Sequence, residues 1–172
     1  MPQYFENLDI AGIKDALIFL DIDGTLVADN ESHPVDLVLK KIKELEKQNV
    51  VWLCSNSWNV MRNERIHGIT NLPIIKGHRK PSKKILDYAL REGSELADAN
   101  KGRSNHKVKK EDLKRQIIVI GDKILTDGFF AYRTDGKFIK VKRKMGKHRF
   151  IVKVYNSVDD IAYIILKHFI KK

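Results

Sequence analysis

This sequence predicts an α/β fold with a mainly parallel sheet, on two observations. Leu17 to Leu20, Val50 to Cys54, Pro73 to Ile75 and Ile117 to Ile120 are short apolar runs rich in β-branched residues and read as buried strands. Between and after them lie segments of helical periodicity, and strands that alternate with helices pair in parallel through crossovers. A chain of 172 residues is long enough for a real core and short for two domains, so one domain over residues 1–172 is expected.

After the first strand, Pro34 stands where a first helical residue belongs, and Val35, Val38, Ile42 and Leu45 recur at helical spacing. After the third strand, Pro81 is expected to open a helix carrying Ile85, Leu86 and Ala89. Residues 91–116 are polar, contain Gly93 and Gly102 and lack an apolar period, so they read as an insertion or loop at the sheet edge. The last helix is expected to start at a cap at Asn156 or Ser157, with Asp159 and Asp160 in its first turn. Val158, Ile161, Ala162, Ile165, Leu166 and Phe169 form its apolar stripe. The usual fate of such a stripe is to pack on the sheet.

No run reaches the roughly 18 to 20 uncharged apolar residues of a spanning helix, and the first residues lack the order of a signal peptide. A soluble, cytoplasmic protein is expected. The single Cys54 excludes an internal disulfide and reads as a small buried filler. The net charge of +11 is concentrated. Gly136 to Arg149 holds seven Lys or Arg and no acid, and Lys101 to Gln116 holds seven more against two acids. Such a field attracts a polyanion, whether nucleic acid, anionic membrane or a phosphorylated small molecule, unless it is simply a solvated surface.

The strand candidates end in reactive side chains: Asp21-Ile22-Asp23-Gly24-Thr25, Ser55-Asn56-Ser57, and Gly121-Asp122 with Asp127 beyond. Parallel strands present their carboxyl ends on one edge, where open α/β sheets bind ligands. Lys80, just before Pro81, is expected at the mouth of a helix whose free N–H groups favour an anion. Carboxylates gathered at strand ends call for a hard cation bound through oxygen, and Mg²⁺ takes one or two carboxylates, waters and a substrate phosphate. With a lysine alongside, the set describes a phosphoryl site. There an aspartate can attack phosphorus, and a second carboxyl group can protonate the leaving oxygen and then activate water.

LDIDGTLV, SNS, RKP and IGDKILTD, in that order, resemble the four signature motifs of haloacid dehalogenase-type (HAD) phosphatases. The resemblance implies a three-layer α/β/α Rossmann-like domain that works with Mg²⁺ through an aspartyl-phosphate. It implies Asp21 as nucleophile and Asp23 as general acid/base that also offers a carbonyl to the metal. Ser55 becomes a hydrogen-bond donor to the phosphoryl group, and Lys80 the counter-charge to nucleophile and phosphate. Substrate phosphate is then bound among Gly24, Thr25, Ser55, Asn56 and Lys80. The metal set is Asp21, Asp23 and Asp122, with Asp127 as a further ligand or the holder of a metal-bound water. Plainer roles stay open beside these: a strand-end turn at Asp21 and Asp23, and helix caps at Ser55 and Asp127. Trp58, Asn59, His78 and Arg79 flank the motifs.

The short stretches after Thr25 and between Asn56 and Lys80 leave no room for a large cap domain, so large substrates can enter. Among capless members the chain is similar to the YqeG-like group, which includes phosphatidylglycerophosphate phosphatases. It departs from that group in Gly24, where Asn is usual, and in Lys123, where Gln is usual. The implied substrate is phosphatidylglycerophosphate, met peripherally at an anionic membrane through Lys140 to Arg149 and the last helix. The alternatives are a phosphatase for polynucleotide 3′-phosphate, phosphoprotein or a small phosphometabolite, and a catalytically silent basic binding module.

Overall fold

The structure is a computed structural model that describes residues 1–29, 31–99, 116–146 and 150–170. Four strands form one sheet: β1 (Leu17–Leu20), β2 (Val50–Leu53), β3 (Ile117–Gly121) and β4 (Lys137–Lys140), in the order β2-β1-β3-β4. Every neighbouring pair is parallel, with Phe19 level with Trp52 on one side and Val119 on the other. β1 is thus central, and all four of its residues are buried.

Alternate residues of the strands point to opposite faces and feed two cores. Ile18, Leu20, Val51, Leu53, Ile118 and Ile120 pack with Phe5, with Val38, Ile42 and Leu45 of helix α1 (Asp36–Glu46), and with Ile66 of α2 (Val60–Thr70). Leu17, Phe19, Trp52, Cys54, Ile117 and Val119 pack with Ile85 and Ala89 of α3 (Lys84–Ala99) and with Phe130 of α4 (Phe129–Arg133). A helix layer on each face makes a three-layer α/β domain. α5 (Phe150–Ile170) closes the chain.

Several expectations are corrected. Pro73 to Ile75 makes only a single bridge, Leu53 to Ile74. The fourth strand is KFIK of β4, hidden from the sequence reading by its lysines. Pro81 does not open α3; Ser82 Oγ accepts the Lys84 N–H at 3.3 Å where that helix begins. Residues 91–99 of the expected insertion continue α3, and 100–115 lie outside the described residues. Val35 precedes α1 and is exposed.

The largest correction concerns α5. It starts at Phe150, so Asn156 and Ser157 lie inside it. Among its described side chains, Val154, Val158, Ile161, Ile164, Ile165 and Leu166 are exposed and the buried ones are polar, Asn156 and Asp159, while the Phe169 side chain of the expected stripe lies outside them. The reason is local. A π-helical turn at Ile124–Gly128 leaves main-chain N–H groups to satisfy, and Asp159 accepts those of Ile124 and Leu125 at 3.1 and 2.8 Å. Holding those donors turns the polar face inward and the apolar stripe out. Among the described residues no helix is long and apolar enough to cross a membrane.

Candidate functional site

The carboxyl ends of β1, β2 and β3 bring Asp21, Ser55 and Asp122 to one edge of the sheet, as parallel pairing dictates. The Asp21 N–H still pairs with the Ile120 carbonyl at 2.9 Å, so the first acid stands on the last rung of the ladder. Asp21, Asp122 and Asp127 are buried and offer carboxylate oxygens within 4.8 Å of one another. Two glycines make this approach possible. A Cβ on Gly24, which has φ +82°, would meet Asp122 Oδ2 at 2.6 Å, and one on Gly121 would collide with the Asp127 carboxylate. Gly24, expected to bind substrate, here makes room for an acid.

Lys80 lies between two of the acids. Its Nζ is paired with Asp21 Oδ1 and, at 2.5 Å, with Asp127 Oδ1. Burial alone would lower the lysine's affinity for its proton, but Asp127 and Asp21 outweigh it and hold Lys80 well above its ordinary pKa. Burial raises Asp21 to about 8, although Lys80 pulls the other way. Asp127 is raised for the same reason. Its second oxygen accepts the Lys123 N–H at 3.0 Å. Thr25 Oγ1 donates to Asp21 Oδ2 at 3.3 Å.

Lys80 was expected at a helix mouth, but α3 starts beyond it, and a side chain holds it instead. Asn56 Nδ2 donates to the Lys80 carbonyl at 2.9 Å, and Asn56 Oδ1 accepts its N–H at 2.8 Å. Asn56, expected to bind substrate, thus also positions Lys80.

Asp23 is held by a separate pair of side chains. Ser55 Oγ donates to its Oδ2 at 2.9 Å, and Arg62 Nη1 to its Oδ1 at 2.5 Å. Arg62 is fixed in turn through Nε to the Glu31 carbonyl at 2.5 Å. Ser55 also accepts the Ser57 N–H at 2.9 Å, so it braces its own loop, while Asn59 caps α2 by accepting from Arg62 N at 3.1 Å.

Asp122 is wrapped by cations. Lys123 Nζ lies 3.0 Å from its Oδ1, and Arg143 Nε pairs with its Oδ2. Burial opposes ionisation of Asp122, but Lys123 and Arg143 overcome it and lower the pKa. Arg143, Lys140 and Lys144 belong to the segment expected to form an exposed basic rim. Lys140 instead donates to the Asp122 carbonyl at 2.6 Å, and Lys144 pairs with Glu6 at 2.8 Å. Cys54 is buried, and burial pushes its thiol up to about 12, which leaves it unreactive.

The cleft over these groups is lined by Asp21, Asp23, Asn56, Ser57, Lys80, Lys123 and Thr126, with a volume near 330 Å³. A larger cavity of about 650 Å³ shares Ser57 with it and reaches Ser55, Lys76, His78 and Trp58. Trp58 is 82% exposed, with the Arg79 guanidinium 3.1 Å from its ring centroid. Trp58 is thus not core packing.

Arg62, Lys123 and Arg143 were not assigned to the site from the sequence. Only the oddity of Lys next to Asp122 marked one of them; the other two reach the site from α2 and from beyond β4, where no local pattern announces them. Three buried carboxylates supply the hard oxygen donors a divalent cation takes, so the residues present fit a metal ion.

The sequence matches no protein-family model and no curated protein. Among solved structures the chain is similar to the crystal structure of an uncharacterized protein from Listeria monocytogenes serotype 4b, with a TM-score of 0.48 and 14% identity over 78% of this chain and 84% of that one.

Proposed function

We propose that the chain is a phosphate monoester hydrolase that works with a divalent cation, Mg²⁺, through an aspartyl-phosphate on Asp21. The observation that carries this reading is the buried ammonium of Lys80 between Asp21 and Asp127, beside Asp122, at the carboxyl edge of the sheet. A structural ion pair needs no open cleft above it, whereas this one lines a cleft large enough for a phosphate. The HAD resemblance assigns the same residues.

The chain's own groups have definable tasks. Asp21 attacks phosphorus, the bond to the leaving oxygen breaks, and that oxygen takes a proton from Asp23. Water then attacks the aspartyl-phosphate, gives its proton to Asp23 and releases phosphate, restoring Asp21. Lys80 balances charge on Asp21 and the phosphoryl oxygens. Asp23 accepts hydrogen bonds on both oxygens from Arg62 and Ser55, the arrangement of a proton acceptor; donating to the leaving group requires it to loosen from Arg62. Asp21, Asp122 and Asp127 are the side chains that would hold the metal, which when bound supplies neutralisation of phosphoryl charge.

The test is hydrolysis of a generic phosphate ester with Mg²⁺, with trapping of phosphate on the chain. Asp21→Asn should lose both turnover and covalent label while keeping its fold; normal turnover in that variant would refute the covalent route.

A second reading concerns the substrate. The outward apolar stripe of α5 favours a phosphate carried on a lipid, as in phosphatidylglycerophosphate, with the protein working peripherally at an anionic membrane. Vesicles bearing that lipid should then be hydrolysed faster than glycerol phosphate, and Ile161→Lys should slow the vesicle reaction alone. Preference for a 3′-phosphorylated oligonucleotide or a phosphopeptide would reject it.

A further inference from the structure

Lys123 begins where β3 gives way to the π-helical turn. Its N–H is tied to Asp127, and its side chain folds back over the site. There the ammonium lies 3.0 Å from Asp122 Oδ1 and 3.3 Å from the carbonyl oxygen of Asp23. A carboxylate oxygen and a main-chain carbonyl facing one another across a strand edge are hard donors of the kind that hold a divalent cation. The lysine thus occupies oxygen atoms that a metal at Asp122 would use.

The charges around it point the same way. Lys80 faces Asp21 and Asp127, Arg62 faces Asp23, and Lys123 and Arg143 face Asp122, so every carboxyl group of the cluster already has a cation beside it. An added divalent ion would overcharge this buried cluster unless a cation left it. Lys80 is held between two acids, with its main chain gripped by Asn56. Arg62 is tied to the Glu31 carbonyl, and Arg143 also reaches Asp159. Lys123 has more freedom: its side chain is 18% exposed, against 2% for Lys80, and it lines the open cleft.

We propose that Lys123 is a tethered cation in the seat of the divalent metal, so that loading the site exchanges its ammonium for the ion. This rests on the reading that the acid cluster takes a divalent cation. Without the ion, the ammonium keeps Asp122 charged and in place. With the ion, Lys123 must turn out into the cleft, and the affinity observed is the difference between the two occupants.

The test uses Mn²⁺ as probe, because its free concentration can be read by electron paramagnetic resonance on the full chain without turnover. Lys123→Met and Lys123→Gln remove the charge in two different ways, so either one that folds serves. Both should bind Mn²⁺ more tightly than the unaltered chain by roughly 10- to 100-fold, the range that neighbours of a metal site command. Adding Asp122→Asn to either should abolish the binding. Equal or weaker binding in the Lys123 variants, still lost with Asp122→Asn, would overturn the exchange while leaving the metal-dependent reading intact. Absence of Mn²⁺ binding in every form would overturn both.

Discussion

The side-chain amide of Asn56 closes on the main chain of Lys80 from both sides, donating to its carbonyl at 2.9 Å and accepting its N–H at 2.8 Å. A loop at the end of β2 thereby sets the height at which an ammonium from a separate turn enters the acid cluster. Asn56→Ala leaves two main-chain groups without partners and should cost about 1–3 kcal/mol of stability. Asn56→Asp keeps the acceptor but cannot donate, so it should not rescue. On the proposed hydrolase reading, both variants should lower kcat more than they raise KM in steady-state kinetics, since what they misplace is the charge beside Asp21.

Removing Lys80 should be harsher and strongly dependent on pH. Lys80→Met leaves Asp21 and Asp127 buried together without their counter-ion, a change that typically costs about 3–5 kcal/mol. Burial already raises both carboxyl groups, and losing Lys80 raises them further, so acid should relieve the repulsion. Urea denaturation should show a deficit at pH 8 that shrinks toward pH 5. A deficit independent of pH would mean that packing, not charge, was lost.

Asp21 itself should limit stability in alkali. Its folded pKa of about 8 lies above its unfolded value, so the folded state binds the extra proton between them. The stability this contributes is complete below about pH 4 and is lost as pH rises through about 8. Asp21→Asn cannot titrate, so without added metal its melting temperature should exceed that of the unaltered chain increasingly from pH 5 to pH 9. Parallel curves for the two proteins would remove burial as the cause.

Gly24→Ala combines two faults. It places a side chain at φ +82°, which costs roughly 1–2 kcal/mol, and it drives a methyl group into Asp122. The expected result is a lower melting temperature together with weaker Mn²⁺ binding. Gly12→Ala, where a Cβ would have nothing within 4 Å, is the control and should change neither.

What the sequence revealed and what it hid divide along physical lines. Asp21, Ser55 and Asp122 were legible because each follows an apolar run that can only be a buried strand, and a parallel sheet then brings their ends together. β4 was not legible, because an edge strand needs burial on fewer sides and tolerates the lysines of KFIK. α5 was recognised as a helix but its orientation was inverted. Hydrophobic periodicity assumes that apolar residues turn inward, and here Asp159 is held by the donors of an irregular turn. Arg62, Lys123 and Arg143 form ion pairs that exist only once distant segments meet, so no spacing rule could locate them.

The strand order β2-β1-β3-β4 also sets a timetable for synthesis. β1 can pair with β2 as soon as Leu53 has left the ribosome, but its other edge must wait until β3, ending at Gly121, has been made. Over that interval Leu17 to Leu20 present one unpaired, wholly apolar border to the cell, the kind of edge that recruits other strands. Closing the long loop between β1 and β3 also favours slow assembly. A chain stalled or cleaved before Ile117 would therefore carry Asp21 without Asp122 or Asp127, inert toward cations and prone to aggregate. Arrival of the third strand covers the open edge of β1 and carries Asp122, and just beyond it Asp127, to Asp21.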